Sequence, residues 1–230
     1  MQPWKLIDRT ETPEGPLELR QRGPRDFLIT VGGRVLMTSA AHRSEDALAD
    51  LTCQAMATVK RPRVLIGGLG MGLTLRAALA GLPAASALTV VDLNARVVAW
   101  CRAPLGELCG HALDDPRVRV QVANVARVIA SAAPRSYHAI VLDLYEGPPR
   151  HDGRRPDPLY GAAAIENALG ALEPGGLFAV WSEDESPPFR SRLETAGFAV
   201  ERHRAGRGGR THVIYLATAP TTKRRVAHRR

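Results

Sequence analysis

A glycine-rich segment and a single carboxylate are the first residues whose types and spacing could do chemistry. The segment 67–72 follows an apolar run at 64–66 and contains four glycines: Gly67, Gly68, Gly70 and Gly72. Glycines at the end of a strand permit a sharp turn and let a ligand approach the backbone, whose N–H groups can bind a polar group. Asp92 ends a second apolar run, where a carboxylate can accept hydrogen bonds from both hydroxyls of a ribose. This pairing predicts a nucleoside-binding site.

A second group of polar residues follows another apolar run, at 139–142, and contains Asp143, Tyr145 and Glu146. In open α/β sheets, ligands bind beyond the carboxyl ends of the strands. A carboxylate there can bind a cation, take its proton and orient its nitrogen. An amine with a pKa of about 10.4 must lose a proton before it attacks, at a cost of about 4–5 kcal/mol near pH 7. We therefore predict that the carboxylates of Asp143 and Glu146 are catalytic and that Tyr145 shapes the side of the site where the amine binds.

The elements that must position these residues alternate between strands and helices from residue 63 onward. Strands are predicted at 64–66, 88–91, 118–122, 139–142 and 177–181, and helices around 73–80, 95–102, 125–131 and 159–171. Apolar strands separated by helices indicate a parallel sheet covered on both faces. A helix near 189–196 and strands at 198–203 and 212–216 follow, with a hairpin loop at 205–209. This antiparallel ending is typical of class I methyltransferase-type sheets, so we predict a Rossmann-like α/β fold.

The residues before the glycine turn have a different pattern. Apolar and polar residues alternate over 17–37, and Gly32-Gly33 interrupts them, which predicts a small β-meander with a tight turn. Ser44 is a candidate N-cap of the following helix. We therefore divide the chain into an N-terminal β-hairpin region (1–43), a nucleoside-binding catalytic domain (44–219) and a disordered basic tail (220–230).

Charge and composition narrow the function classes. The net charge of the 230 residues is +8, but five positive charges lie in the last eight residues, and without them the charge falls to +3. Such a run is more often a solvated terminus than a nucleic-acid arm, so nucleic acid is an unfavoured but open partner. Three cysteines without a CxxC pair favour a reducing cytoplasm. We expect neither a membrane span nor a metal site, because no long apolar run and no convergent set of ligands is present.

NAD is the natural alternative ligand for a glycine turn paired with an acid. Its fingerprint, G-x-G-x-x-G, would require a glycine at position 73 after Gly68 and Gly70, and Leu73 stands there. A nucleoside without a pyrophosphate needs less room at the start of the helix. Together with the antiparallel ending, this favours an S-adenosyl sulfonium ligand.

These segments resemble the spermidine synthase (polyamine aminopropyltransferase) family over about residues 17–218. The matching motifs, in order, are the hairpin 32–37 with Ser44-Glu45 after it, the glycine turn 67–72, Asp92-Leu93-Asn94, the segment 115–118, Asn124-Val125, the loop 143–148, Leu159-Tyr160 and the segment 174–176.

The resemblance implies roles for individual residues. Asp92, with Leu93 beside it, would hold the ribose, Asn124 and Val125 would lie near adenine, and Asp143 would serve the attacking amine. The family relation also implies decarboxylated S-adenosylmethionine as co-substrate, an amine acceptor, and a homodimer formed through the N-terminal strands.

Departures from the family motifs leave the acceptor and the donor open. Met71 replaces an acid of the glycine turn, Asp50 falls in the place of a Tyr-His-Glu motif, Asn124 replaces an acid, and Glu146 replaces the second Asp of the acidic loop. We expect Asp50, Met71, Tyr145 and Tyr160 to line an altered acceptor pocket. The alternatives are a methyltransferase that uses S-adenosylmethionine on a small molecule, or less readily on RNA, and a nucleoside-binding module without catalysis.

Overall fold

A seven-stranded sheet with the strand order β10-β11-β9-β8-β5-β6-β7 forms the centre of the molecule. The computed structural model describes residues 2–150, 157–205 and 211–221. The strands of this sheet are β5 (Arg63–Gly67), β6 (Ala87–Asp92), β7 (Val118–Val122), β8 (Tyr137–Leu142), β9 (Leu172–Ser182), β10 (Ala199–Ala205) and β11 (His212–Thr218). Strands β5 to β9 pair in parallel, and β11 pairs antiparallel with both β9 and β10. The predicted methyltransferase-type sheet is confirmed. Of the predicted hairpin loop at 205–209, Ala205 ends β10 and residues 206–209 lie outside the described residues.

Helices cover both faces of this sheet. They are α1 (Arg43–Met56), α2 (Leu73–Gly81), α3 (Ala95–Arg102), α4 (Val125–Ala130), α5 (Ala162–Ala171) and α6 (Pro187–Ala196). Successive strand residues point to opposite sides, so that Val64 and Ile66 of β5 join one core cluster and Leu65 joins the other. Burial on both faces explains why these strands are apolar without alternation. Parallel pairing brings the carboxyl ends of β5, β6 and β8 to one edge of the sheet.

A separate four-stranded antiparallel sheet precedes α1. Its strands, in spatial order, are β1 (Lys5–Thr12), β2 (Gly15–Arg22), β3 (Asp26–Val31) and β4 (Arg34–Thr38). The predicted meander corresponds to β2, β3 and β4, but the sequence did not predict β1. This strand is mostly polar, and half of its residues are exposed. It is linked to α3 because the Trp100 indole donates a hydrogen bond of 2.7 Å to Asp8.

Two helix starts differ from prediction for local reasons. Helix α1 begins at Arg43, with His42 at the N-cap position, so Ser44 lies inside the first turn rather than at the cap. Its hydroxyl donates instead to Glu45 Oε2, at 2.6 Å. Helix α5 begins at Ala162 rather than 159, because the Asp157 carboxylate accepts hydrogen bonds from the backbone N–H groups of Leu159 and Tyr160.

The expectations about a membrane span, a metal site and the basic tail can be compared only with the described residues. Within 2–150, 157–205 and 211–221, no helix has the length and apolar character needed to cross a membrane, and no three acidic, His or Cys side chains gather as metal ligands. Residues 222–230, most of the predicted basic tail, lie outside this part of the chain. The nucleic-acid alternative and the division into three segments therefore stay predictions.

Candidate active site

The glycine turn is pressed against the backbone of the acidic loop. Gly68 has a φ of +91°, and a Cβ atom on it would lie 2.1 Å from the carbonyl oxygen of Asp143. The Asp143 N–H donates to the Gly67 carbonyl at 2.9 Å. Only glycine meets both the positive φ and this approach, so two segments predicted as separate motifs form one surface at the end of β5 and β8.

The same turn is enclosed on its other sides. A Cβ atom on Gly70 would lie 2.8 Å from the sulfur of Met37, which reaches over from β4. Below the turn, the Cys101 thiol donates to the Gly70 carbonyl at 3.4 Å, and Gly72 packs on Cys109. The N-terminal sheet therefore covers the turn, and the turn cannot shift without repacking both neighbours.

Asp92 lies at the end of β6, beside the turn. Its Oδ2 accepts a hydrogen bond from the Leu69 N–H at 2.9 Å, and its Oδ1 accepts one from the Asn94 N–H at 2.8 Å. Each carboxylate oxygen can accept more than one hydrogen bond, so the two backbone contacts orient the group and leave acceptor capacity for a ligand. Leu93, the next residue, is 73% exposed. This geometry fits the roles expected for Asp92 and Leu93.

The neighbouring strand end carries the residues expected near adenine. Asn124 is the N-cap of α4 and accepts a hydrogen bond from the Arg127 N–H at 3.3 Å, which leaves its amide N–H groups as donors. Val125 is buried, and its side chain contacts Gly67, so it supports the turn from behind. Val122, which the sequence reasoning missed, pairs with Asp92 in the sheet and is exposed. Its position could have been noticed in the sequence, because an apolar residue stands at the last position of a predicted strand.

Asp143 follows β8 directly and has the most perturbed carboxyl group of the site. Its Oδ2 accepts a hydrogen bond of 2.5 Å from the hydroxyl of Thr74, in the first turn of α2. Burial, and then the negative charge of Glu45, raise the pKa of Asp143 from 3.8 to about 7, against the opposing effect of the Thr74 hydrogen bond. A carboxyl group of this kind can exchange a proton near neutral pH.

Two further residues that interact electrostatically with Asp143 come from distant parts of the chain. Glu45, in the first turn of α1, is a buried carboxylate that the sequence reasoning did not assign to the site. Tyr160, which was predicted, is 4% exposed, and its hydroxyl has no hydrogen-bond partner among the described residues. Burial, Asp157 and Asp143 raise the pKa of the Tyr160 hydroxyl. In the sequence, Glu45 is only an acidic residue at the start of a helix. Such a residue usually has no further role than a favourable interaction with the helix dipole.

Glu146 and Tyr145 lie on the outer side of the acidic loop. Both are exposed, and Glu146 has a φ of +64°. The Glu146 carboxylate pairs with the Arg34 guanidinium at 3.4 Å, and the same guanidinium lies 5.7 Å from the centre of the Tyr145 ring. The structure thus places the predicted second catalytic carboxylate in a surface ion pair with the N-terminal sheet, whereas Asp143 is half-buried.

Asp50 and Met71 are not brought to the site. Met71 has a fully buried side chain in the main core cluster, because its apolar thioether packs there and not on an open pocket. Asp50 is exposed. It follows Glu45 by five residues, so it points about 140° away from the buried Glu45 around the axis of α1. Its neighbour Cys53 packs on Gly81 at the far end of α2 from the glycine turn.

Comparisons with known proteins identify the family and the fold of this chain. The family model described as the spermine/spermidine synthase domain matches residues 45–192. The chain is 30% identical over 142 residues to a polyamine aminopropyltransferase of Prochlorococcus marinus, a match that covers 62% of this chain and 46% of that one. It is 33% identical over 153 residues to polyamine aminopropyltransferase 2 of Pseudomonas aeruginosa, with coverage of 64% and 42%. The chain thus spans less than half the length of these curated relatives.

Solved structures show the same fold. Spermidine synthase from Thermotoga maritima superposes with a TM-score of 0.75 at 17% identity, over 95% of this chain and 74% of that chain. A spermidine synthase in complex with the transition-state analogue AdoDATO gives 0.74 at 16% identity, over 95% and 73%. At this identity the structural likeness shows the fold alone, whereas the family model covers more than half of the sequence. The chain belongs to the spermine/spermidine synthase family.

Proposed function

We propose that this chain transfers an aminopropyl group from decarboxylated S-adenosylmethionine to an amine acceptor. The observation that carries the proposal is Asp143, a carboxyl group with its pKa raised to about 7 that lies in backbone contact with the glycine turn. This arrangement puts a proton acceptor beside the expected position of a nucleoside. The names of the relatives, polyamine aminopropyltransferases, support the same reaction.

The nucleoside part of the donor would be held by the residues around the ends of β5, β6 and β7. Asp92 would accept hydrogen bonds from the ribose hydroxyls, since backbone N–H groups already orient both of its oxygens. Leu93 would lie against the adenine ring, and the Asn124 amide would donate to it. The exposure of the Leu93 side chain supports an apolar contact there, because burying it against a ligand is favourable.

Asp143 would supply the proton transfer that the amine requires. The ammonium nitrogen gives a proton to the carboxylate and becomes a neutral amine. Its lone pair then forms a bond to the carbon next to the sulfonium, while the carbon–sulfur bond breaks and its electrons pass to sulfur. Raising the pKa of the Asp143 carboxyl from 3.8 to about 7 brings it closer to the pKa of the amine. The free-energy cost of the proton transfer falls by about 4 kcal/mol as a result. The proton leaves Asp143 to water after product release.

The experiment is to offer both donors, decarboxylated S-adenosylmethionine and S-adenosylmethionine, with a panel of primary amines and diamines. We expect methylthioadenosine and a product heavier by one aminopropyl group. The measurement is mass spectrometry of both products, with the Asp143→Asn variant as the control that should form neither.

The other outcomes decide between the alternatives. S-Adenosylhomocysteine together with a methylated amine would overturn the proposal in favour of a methyltransferase. Tight binding of a donor without turnover of any amine would favour a nucleoside-binding module.

Assembly and location are finer points of the same proposal. We infer a homodimer formed through the N-terminal sheet, which is supported by the exposed apolar side chains of Leu6 on β1 and Val35 on β4. Cys101 and Cys109 lie close together, because both contact Gly72, and yet both are free thiols. Free neighbouring thiols support a location in the reducing cytoplasm. Light scattering of the wild type and of Val35→Glu tests the dimer, which the substitution should weaken; a wild-type monomer would contradict it.

A further inference from the structure

Two thiols lie beneath the glycine turn, and the proposed transfer uses neither of them. Cys101 is in the last turn of α3, Cys109 lies in the turns that follow this helix, and both side chains are buried and free. We propose that this pair is a site of reversible oxidation, at which hydrogen peroxide joins the two sulfurs in a disulfide that displaces the turn and weakens binding of the donor. The oxidation itself is independent of the proposed function, whereas its effect on the donor rests on it.

The two sulfur atoms lie against one glycine. A Cβ atom on Gly72 would lie 3.6 Å from the sulfur of Cys109 and 3.7 Å from the sulfur of Cys101. The Cys109 sulfur is also 3.4 Å from the carbonyl oxygen of Cys101. The chain folds back after α3, because the Cys109 N–H donates to the Leu105 carbonyl at 2.9 Å. Sulfurs held in this way need only a short movement to form a bond.

Cys109 is the thiol that would react first. The neighbouring Cys101 thiol and backbone N–H groups of the following turn lower the pKa of the Cys109 thiol, against the effect of burial. The same interaction and burial raise the pKa of Cys101. The thiolate is the form that attacks an oxidant. Cys109 also lines a surface cavity of about 350 Å³ together with Arg76 and His111, through which a molecule as small as hydrogen peroxide can approach.

The reaction needs peroxide and no other oxidant. The Cys109 thiolate attacks one peroxide oxygen, the O–O bond breaks, and the departing hydroxide takes a proton from solvent and becomes water. The sulfur of Cys101 then attacks the sulfur of the new sulfenic acid. The S–S bond forms, the S–O bond breaks, and the departing hydroxide takes the thiol proton of Cys101 and leaves as a second water. The two sulfurs lose two electrons in all, and the peroxide gains them.

The disulfide would remove one support of the glycine turn and move another. The Cys101 thiol donates to the Gly70 carbonyl at 3.4 Å, and a sulfur in a disulfide has no proton to donate. The Cβ atom of Cys109 lies 2.8 Å from the position of a Cβ atom on Gly72, so the two residues are in close contact. When Cys109 moves toward Cys101, Gly72 must therefore move as well.

Gly72 connects this support to the expected donor site. It is the N-cap of α2 with a φ of +74°, and its N–H donates to the Leu69 carbonyl at 2.7 Å. The Leu69 N–H in turn donates to Asp92, the carboxylate expected to bind ribose. A disulfide that displaces the backbone around it is also readily reduced, so the change should be reversible.

Cys53 provides the matched control, since it is the third cysteine of the chain. It packs on Gly81, at the other end of α2, and nine helical residues, or about 13 Å, separate Gly81 from Gly72. Burial and then the charge of Asp50 raise the pKa of the Cys53 thiol to about 11. Cys53 therefore lacks both a thiol beside it and the thiolate form near neutral pH.

The first measurement detects the bond itself. Folded wild type, Cys53→Ser, Cys101→Ser and Cys109→Ala are treated with hydrogen peroxide, alkylated and cleaved with trypsin, which cuts after residues 96, 102 and 117. We expect mass spectrometry to find peptides 97–102 and 103–117 joined by a disulfide in wild type and Cys53→Ser, and in neither of the other variants. Peptides that stay unlinked in treated, folded wild type would overturn the inference.

The second measurement follows the turn and the donor. We expect oxidised wild type to bind methylthioadenosine at least tenfold more weakly by calorimetry, and dithiothreitol to restore the affinity. This recovery separates the disulfide from oxidation of Met37 above the turn, which dithiothreitol does not reverse. The affinity of Cys101→Ser should not change with peroxide. Unchanged affinity of fully oxidised wild type would overturn the effect on the donor.

Amide hydrogen exchange over residues 68–74 needs no ligand, so it separates failure of this inference from failure of the proposed function. We expect exchange in the turn to become faster on oxidation of wild type and Cys53→Ser, and to stay unchanged in Cys101→Ser. If the reduced protein binds no methylthioadenosine, the proposed donor site is wrong, and faster exchange still supports coupling between the thiols and the turn. Equal exchange in the reduced and the disulfide form would overturn that coupling.

Discussion

The two ends of the candidate site are built in different ways. At the nucleoside end, the turn and Asp92 are held by backbone hydrogen bonds between strand ends that lie side by side in the sheet. At the amine end, Glu45, Thr74, Asp143 and Tyr160 come from four separate elements, and their groups interact through charge and burial. Binding of the nucleoside therefore depends on local chain geometry, whereas the reaction depends on tertiary packing.

The two ends also differ in what they cost the folded protein. Asp92 is satisfied by backbone donors, so it should add to stability. Asp143 is held near another carboxylate, and Tyr160 lacks a partner. Sites that bind and react often contain such unfavourable groups, which a ligand then relieves. The ends should therefore respond oppositely to substitution.

The largest effect is expected at the amine end. Asp143→Asn keeps the shape of the side chain and removes its ability to take a proton. We expect turnover to fall at least about a hundredfold, since general base catalysis contributes about 10²–10⁴. Donor affinity should stay within a few-fold, because the backbone contacts of the glycine turn are unchanged. Steady-state kinetics and calorimetry with methylthioadenosine check both; retained turnover would remove Asp143 from the chemistry.

At the nucleoside end the expected effect is on binding. Asp92→Ala removes two hydrogen bonds from ribose to a charged group, each worth about 1.5–3 kcal/mol, so affinity for methylthioadenosine should fall more than tenfold. It also frees the Leu69 and Asn94 N–H groups. Asp92→Asn, the matched variant, should lose less because its oxygen still accepts. Calorimetry that finds the same affinity in all three proteins would place the ribose elsewhere.

Stability should report the cost at the amine end. Because the pKa of folded Asp143 lies at about 7, above the unfolded value of 3.8, the folded state binds more protons between these values. The contribution of this carboxyl to the free energy of unfolding therefore falls as pH rises from about 4 to about 7. The Tm of Asp143→Asn relative to wild type should be higher at pH 8 than at pH 5 by several degrees, since 1 kcal/mol corresponds to about 2–4 °C at this size.

Thermal melts of both proteins in matched buffers give the Tm of the variant minus that of wild type at pH 5 and at pH 8. Glu166→Gln makes a comparable substitution at an exposed position of α5 and is the control to be melted in the same buffers. An equal Tm difference at both pH values would mean that Asp143 titrates alike in the folded and unfolded states.

The smallest effect is expected from the outer acid of the loop. Glu146 is exposed and pairs with Arg34, which is also exposed, and surface pairs contribute about 0–1 kcal/mol. Glu146→Gln should therefore reduce kcat/KM less than about tenfold, and Arg34→Ala should have a similar effect. Kinetics of both single variants and the double variant measure their coupling. Loss of turnover as large as in Asp143→Asn would make Glu146 a second catalytic acid, as its position in the motif predicts.

Much of the nucleoside end could be predicted from sequence because its signals are local. Gly68 and Asp92 each stand at the end of an apolar run, and parallel strands bring such ends to one edge of the sheet. Asp143 was predicted by the same rule. The strand β1 was not, because a polar edge strand with half of its residues exposed lacks the alternation of apolar residues that indicates a strand.

The amine end was decided by tertiary structure. The sequence shows that Glu45 starts a helix and that Tyr160 precedes another. It does not show that both side chains are buried and interact electrostatically with Asp143, or that Met71 turns into the core. Nor does the acidic loop reveal that Glu146 pairs with Arg34, 112 residues earlier. Strand ends follow from the short-range pattern of apolar residues, whereas the direction and protonation of a buried side chain follow from long-range packing and charge.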